Sequence, residues 1–398
     1  MSWAKLDTHV NAHSLITVDG HSCKQYGVSL SQTFPFHKVN FTCQALAMLS
    51  QLNDFDQQMV EKEIKHICAH PNAKNSIKHS RNPLKRLWRT QYPFRNYHYL
   101  VEFSLNDNQI VIDDVLFDRK LVGPKDKFSA ERTMLYQVDR LTSATYNKAE
   151  DKKGIEKLQG AWRRDPKATT QVNTTHAAVN GMLNELDKAA WLMGTHLDTA
   201  YQSDKIKAYT LFHNPTDKGI LDIVECAFDK RQGNKSHNAQ HLAAVLAQNH
   251  QQGKKVKWLV HSQGAIIFCA ALEHYRIHYR DKLTTQEVAV HGSGANIKRF
   301  EEVAERLGMT ISSIRNNPYD LVPNLGGFND TSASSLVRSM KFKGAVFGKN
   351  SNPGVSPHTL PFLGLITYAD QLQLFGDISK ATVVRKFING LPKGDSRL

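Results

Sequence analysis

An α/β chain in two parts is what this sequence predicts, and three observations carry that expectation. From residue 206 onward, apolar runs of strand length alternate with helix-length runs. That alternation is the mark of a mainly parallel sheet covered by helices on both faces. Before residue 150 the order differs. Helical patterning over 41–70 precedes two strand-like runs at 97–103 and 109–113, an α+β order. Between these halves, residues 140–170 are charged and weakly apolar, with Tyr146-Asn147-Lys148-Ala149-Glu150-Asp151-Lys152-Lys153-Gly154 at their centre. The domain boundary is therefore placed there, with an α+β domain over 1–150 and an α/β domain over 151–398. The length of 398 residues agrees with two domains.

In the first half, Cys43, Ala45, Leu46, Ala47, Leu49 and Leu52 make one apolar helical face, and a second helix is expected over 54–68. Residues 71–92 read as a basic, polar loop. The next run, 97–103, is aromatic and alternating, and 109–113 is β-branched. Asn106-Asp107-Asn108 between them reads as a hairpin turn.

In the second half, residues 170–197 read as a helix with Ala177, Val179, Met182, Leu183, Leu186, Ala189 and Leu192 on one side. Strands are expected at 207–213, 256–260, 287–291 and 309–314, with a further candidate at 342–347. Helices are expected at 220–230, 238–252, 265–279 and 297–307, and 219–252 has the position of a lid.

The chemistry of this half centres on residues 258–272. An apolar run, Trp258 to Val260, turns sharply at His261-Ser262-Gln263-Gly264 and becomes a small, apolar helix from Ala265 to Leu272. Strand, tight turn and helix with Ser at the apex is a nucleophile elbow. It presents the hydroxyl above the sheet and sets the positive end of the helix behind it. Val260 stands where the usual pattern has its first Gly, so this position demands extra room. Gly264 lets the helix pack closely.

Functional residues of parallel sheets collect at the C-terminal strand ends, and two more candidates lie there. Asp320 follows strand 309–314 in the loop Arg315-Asn316-Asn317-Pro318-Tyr319-Asp320, although an Asp so placed also suits a helix N-cap. His358 follows the candidate strand 342–347 and is the last His of the chain. His291, His261 and His213 compete with it for the role of base. His213 and Asn214 follow an early strand, the expected place of an oxyanion donor, with the backbone N–H of Gln263 as the other.

Ser262, Asp320 and His358 occur in the order Ser…Asp…His. That order and the elbow resemble α/β-hydrolases of the lipase type, over about residues 200–362. The segment Phe212-His213-Asn214-Pro215 and the elbow look most like bacterial lipase-like effector and toxin domains. The resemblance implies a Ser262–His358–Asp320 triad acting on an ester, with no metal or cofactor required. A lipase or phospholipase is the first expectation for substrate, while a small-ester or thioester hydrolase suits the triad equally well. An effector role implies export by a specialised secretion system.

A second constellation lies in the first half. Cys43 begins a helix, where the dipole favours thiolate. His98 opens one expected strand and Asp113 ends the next, fifteen residues on. In an antiparallel hairpin such ends are neighbours. This arrangement resembles papain-like cysteine enzymes, including toxin and deamidase members, over about residues 35–120. It implies a Cys43–His98–Asp113 site acting on a protein target as peptidase, deamidase or acyl transferase. The competing expectations are a buried structural Cys and a non-catalytic targeting module over 1–150.

Composition narrows the partners. A formal charge of +14 favours anionic surfaces. The densest basic run is Lys78-His79-Ser80-Arg81-Asn82-Pro83-Leu84-Lys85-Arg86-Leu87-Trp88-Arg89. No helix-turn-helix or RNP-type motif accompanies it, which sets nucleic acid behind a membrane surface as partner. No apolar run approaches the ~20 residues that span a bilayer. The first residues lack the basic and apolar regions of a signal peptide, so synthesis in the cytoplasm without a leader is expected. Five scattered cysteines show no disulfide framework, and no C-x-x-C or H-E-x-x-H pattern points to zinc.

Overall fold

The computed structural model describes residues 3–4, 15–17, 23, 25–73, 76–78, 84–88, 99–106, 109–118, 134–146, 152–181, 184–214, 237–317, 320–333, 335–337, 358, 365–374, 376 and 378–392. The chain divides into two compact units, Met1–Arg132 and Thr133–Leu398. Each carries its own sheet, the second mostly parallel.

The first unit runs β1 (Trp3–Ala4), β2 (Leu15–Thr17), β3 (Val39–Thr42), α1 (Cys43–Ser50), α2 (Asp54–Ala69), β4 (Ser76–Lys78), β5 (Lys85–Trp88), β6 (Tyr99–Asn106) and β7 (Gln109–Asp118). Its sheet order is β2-β3-β7-β6-β5-β4, with β1 also paired to β7. The expected helices and the β6–β7 antiparallel pair are present. Each helix starts at a side-chain cap. The Thr42 side chain accepts from the Ala45 N–H, and that of Asn53 accepts from the Asp56 N–H. The basic stretch 71–92, expected as loop, contains two strands. Leu87 and Trp88 are buried, and the Trp88 indole donates to Glu63, while Lys85 pairs with Glu102. Cations partnered or solvated at a sheet margin conceal a strand from composition.

The second unit runs β8 (Met134–Asp139), α3 (Lys152–Ala161), β9 (Lys167–Thr169), β10 (His176–Val179), α4 (Leu186–Ala200), β11 (Ala208–His213), α5 (His237–Gln251), β12 (Val256–His261), α6 (Gln263–His278), β13 (Gln286–His291), α7 (Ile297–Arg306), β14 (Thr310–Arg315), α8 (Leu365–Leu374) and α9 (Ile378–Asn389). The sheet order is β14-β13-β12-β10-β11-β8-β9. The five strands from β14 to β11 are parallel, and β8 and β9 continue antiparallel at one edge. The core joins Trp258 of β12 to Phe268 of α6 and Leu242, Val245 and Leu246 of α5.

Three expectations change here. The boundary lies at Arg132/Thr133, because β8 pairs with β11 and β9 with β8, so both strands belong to the sheet of the second unit. The helix expected over 170–197 is a strand, β10, followed by α4. The helix within the supposed lid, α5, is a core helix buried along most of its length. The expected helix 220–230 and strand 342–347 lie outside the described residues. Among the described residues, no helix is long and apolar enough to cross a membrane.

The revised boundary has a measurable consequence. Limited proteolysis should yield a C-terminal fragment that begins N-terminal to Met134. Mass spectrometry showing a first cut within 152–170 would contradict the assignment of β8 and β9 to the second sheet.

Candidate active site

Ser262 follows β12 directly and opens α6. Its backbone has φ 57° and ψ −125°, a conformation that a non-glycine residue holds only when its surroundings impose it. Three backbone hydrogen bonds impose it here. Ser262 N–H donates to the His291 carbonyl at 3.3 Å, and the Ser262 carbonyl accepts from Gly294 N–H at 3.0 Å and Ala265 N–H at 3.1 Å. The strand itself is held between β10 and β13, both parallel to it. Val260 is accommodated fully buried within the core.

Gly264 is required for steric reasons. A Cβ there would lie 2.4 Å from the Val179 carbonyl oxygen and 2.9 Å from that of Asn180. The close partner of α6 is thus β10, the strand beside its own. Gly264→Ala must push α6 away from β10, and overpacking of this kind costs about 1–3 kcal/mol. Denaturant unfolding should show that loss, and an unchanged midpoint would contradict the close approach.

The expected acid and base meet this serine. His358 Nε2 lies 2.9 Å from Ser262 Oγ. His358 Nδ1 lies 2.5 Å from Asp320 Oδ2. Asp320 is 5% exposed, and its other oxygen, Oδ1, accepts from Val322 N–H at 2.9 Å. The carboxylate therefore both orients the imidazole and accepts the first N–H of the helical turn Val322–Gly326. Gly292, at φ 54°, leaves room for the ring, since a Cβ there would stand 3.3 Å from His358 Cε1 and Nδ1.

The three competing histidines lie in other roles. His213 is buried with Nε2 3.2 Å from the Asn184 carbonyl, and burial pushes its pKa down to about 4. His261 and His291 pair in register at the ends of β12 and β13. Burial holds both well below the ordinary imidazole range.

The oxyanion donor expected near His213–Asn214 is not available there. β10 lies between β12 and β11, so the end of β11 is one strand removed from Ser262. The Asn214 N–H is already donated to Asn180 Oδ1 at 2.8 Å. The backbone that does approach Ser262 is the turn after β10. A Cβ on Gly181 would lie 2.5 Å from Ser262 Cβ and 3.0 Å from its Oγ. Asn180 holds this turn by donating to the Gly181 carbonyl at 2.9 Å and the Asn214 carbonyl at 3.0 Å. Asn214 also donates through Nδ2 to Gln263 Oε1 at 2.8 Å. His213 and Asn214 thus brace the turn. The signal for Gly181 was the Asn180-Gly181 dipeptide, a strong turn marker.

The second constellation is only partly described. Cys43 does begin α1 and is half-buried. His98 lies outside the described residues. Asp113 does not end its strand, because β7 continues to Asp118. It sits at a register shift opposite Glu102 and Phe103, whereas Tyr99, near the start of β6, pairs with Phe117. The Asp113 carboxylate lies 3.6 Å from Lys85 Nζ, and burial outweighs that cation to raise its pKa. It is Asp113's backbone carbonyl that faces the α1 start, accepting from Thr42 Oγ1 at 2.7 Å.

Among the described residues, no group of three or more His, Cys, Asp or Glu is arranged to hold a metal ion. No protein-family model, curated protein or solved structure matches the chain.

Proposed function

We propose that the protein is a serine ester hydrolase with an α/β-hydrolase domain, acting on lipid esters at an anionic membrane surface. The observation that carries the proposal is the Ser262–His358–Asp320 relay, with contacts of 2.9 and 2.5 Å on a serine held at positive φ between strand and helix. A nucleophile within reach of a base, which is itself oriented by a third group, is the geometry of covalent acyl transfer.

The roles follow from the atoms. Asp320 holds the Nδ1 proton of His358, which leaves Nε2 as the bare acceptor facing Ser262. The hydroxyl proton passes to Nε2 as Ser262 Oγ bonds to the ester carbonyl carbon, and the carbonyl π pair moves onto oxygen. The Gln263 N–H at the positive end of α6 and the backbone of the Gly181 turn flank the place where that oxyanion forms. The proton on Nε2 then passes to the departing alcohol as the C–O bond breaks. Water, deprotonated by the same nitrogen, releases the acid and restores Ser262.

Lipid as substrate rests on two supports. The net charge of +14 draws the protein to anionic headgroups. The segment after Asp320 carries exposed apolar side chains, Leu325, Phe328 and Val337, at 42%, 47% and 50% exposure. This segment is tied to the site, since Asn329 Nδ2 donates to the Ala295 carbonyl at 3.1 Å, one residue beyond Gly294. A lipase-like effector or toxin role, as the elbow resemblance implies, accords with both supports.

The test is fatty-acid release from vesicles containing anionic phospholipid, beside turnover of short soluble esters. Release from vesicles that falls as salt rises is the expected result. Turnover of soluble esters with none on vesicles would remove lipid as the substrate and leave a small-ester hydrolase.

A further inference from the structure

Four histidine rings lie in sequence beneath the serine, and only His358 has a role in the chemistry above. His261 Nε2 is 2.8 Å from the His358 carbonyl oxygen. The His261 and His358 ring centroids are 4.7 Å apart, and those of His261 and His196 are 4.6 Å apart. His196 Nδ1 in turn lies 2.9 Å from His291 Nδ1. His196, His261 and His291 are all at most 2% exposed.

We propose that His261 is a positioning residue for His358, holding the backbone of the base at the end of β12 through its Nε2–H. The proposal rests on the hydrolase reading for its catalytic meaning, though the contact itself does not depend on that reading. A carbonyl oxygen only accepts, so Nε2 of His261 must carry the proton. In the neutral ring Nδ1 is then bare, and it has no hydrogen-bond partner among the described residues. It faces the Gly181 turn, where an added Cβ would stand 3.3 Å away. The ring of the residue that precedes the nucleophile thus faces the backbone at Gly181 on one side and holds the main chain of the base on the other.

The need for such a contact follows from the fold. Ser262 is fixed by strand and helix. His358 follows β14 by more than forty residues, and it must keep Nε2 on Ser262 and Nδ1 on Asp320 at once. Two side-chain contacts orient the ring, but a ring also needs a fixed Cα. The hydrogen bond from β12 to its carbonyl supplies that anchor from the same strand that carries the serine.

The charge state of His261 matters for the same reason. During acyl transfer His358 becomes an imidazolium, and a second cation 4.7 Å away would oppose it. Burial, reinforced by the neighbouring His196 and His358, keeps His261 neutral. Among the described residues, the titratable groups acting on it are the His196, His291 and His358 rings, and no carboxylate is among them to favour its charged form.

The test compares His261→Gln with His261→Phe in the full chain. Gln places an amide N–H near the position of Nε2, and Phe keeps the ring without the donor. Two measurements are made on each, with thermal melts alongside. One is the rate at which a fluorophosphonate labels Ser262. The other is the ¹⁵N histidine spectrum, which reads the His358 Nδ1–H hydrogen bond to Asp320 with no substrate. The Phe variant should label about 10²-fold more slowly, the loss typical of ångström-scale misplacement, and lose the hydrogen-bonded Nδ1–H signal. The Gln variant should stay near wild type in both. Wild-type rate and signal in the Phe variant would overturn the proposal, as would a Gln variant that fails together with Phe while melting normally. If the Phe variant folds poorly, His261→Asn, whose amide stops short of the carbonyl, repeats the comparison. A wild-type protein that is not labelled at all would refute the hydrolase reading, and the His358 spectrum would still decide the positioning role.

Discussion

Ser262→Ala is expected to remove ester hydrolysis almost completely, by about 10⁴- to 10⁶-fold in kcat, while the fold persists. The loss is large because the Ser262 hydroxyl is the group that stands 2.9 Å from His358 Nε2. The fold should persist because removing one oxygen leaves no cavity of consequence at a residue 7% exposed. Alanine also relieves nothing at φ 57°, since it carries the same Cβ. Circular dichroism and a thermal melt should therefore match the wild type. Retention of wild-type turnover on activated esters and on vesicles would end the proposal that Ser262 is the nucleophile.

Asp320→Asn is the second large effect, about 10⁴-fold in kcat, and here the direction follows from two hydrogen bonds. Asp320 Oδ1 accepts from Val322 N–H, and Oδ2 receives His358 Nδ1–H. An asparagine must keep its oxygen toward Val322, since an amide nitrogen there would face an N–H. Its NH₂ then points at His358 Nδ1, which has to become the acceptor. The ring proton moves to Nε2, and the nitrogen that should take the serine proton already carries one. The variant should still fold, bind and lose the chemical step. A decrease of less than tenfold would mean that Asp320 acts only as a turn cap, the alternative role its loop position allows.

The sequence made some of this arrangement legible and concealed the rest for identifiable reasons. Ser262 and Asp320 were found because each follows a strand of the parallel sheet, where functional residues collect, and His358 was found as the last His of the chain. β10 was hidden. His176-Ala177-Ala178-Val179 is four residues long, half alanine, and continuous with a helical pattern from 182 to 192. Burial of all four residues between β11 and β12 decides its state, and local propensity does not show that. Missing β10 set the expected oxyanion donor at His213–Asn214, at the end of a strand that is not a neighbour of β12. β8 was hidden differently. It pairs with β11, about seventy residues later, so nothing in its neighbourhood separates it from the first half. Asp113 misled because Asp113-Asp114 looks like a strand end. The strand runs through them, since Asp114 Oδ1 takes the Val115 N–H and Lys85 faces Asp113.

One measurement bears most directly on the central claim that this is a one-nucleophile serine enzyme. The full chain is treated at neutral pH with a fluorophosphonate and, separately, with iodoacetamide, and the modified residues are mapped by mass spectrometry. The account predicts a single phosphonate on Ser262, lost in His358→Gln, and slow alkylation at Cys43 comparable with the other cysteines. Rapid alkylation of Cys43 with Ser262 unlabelled would contradict it.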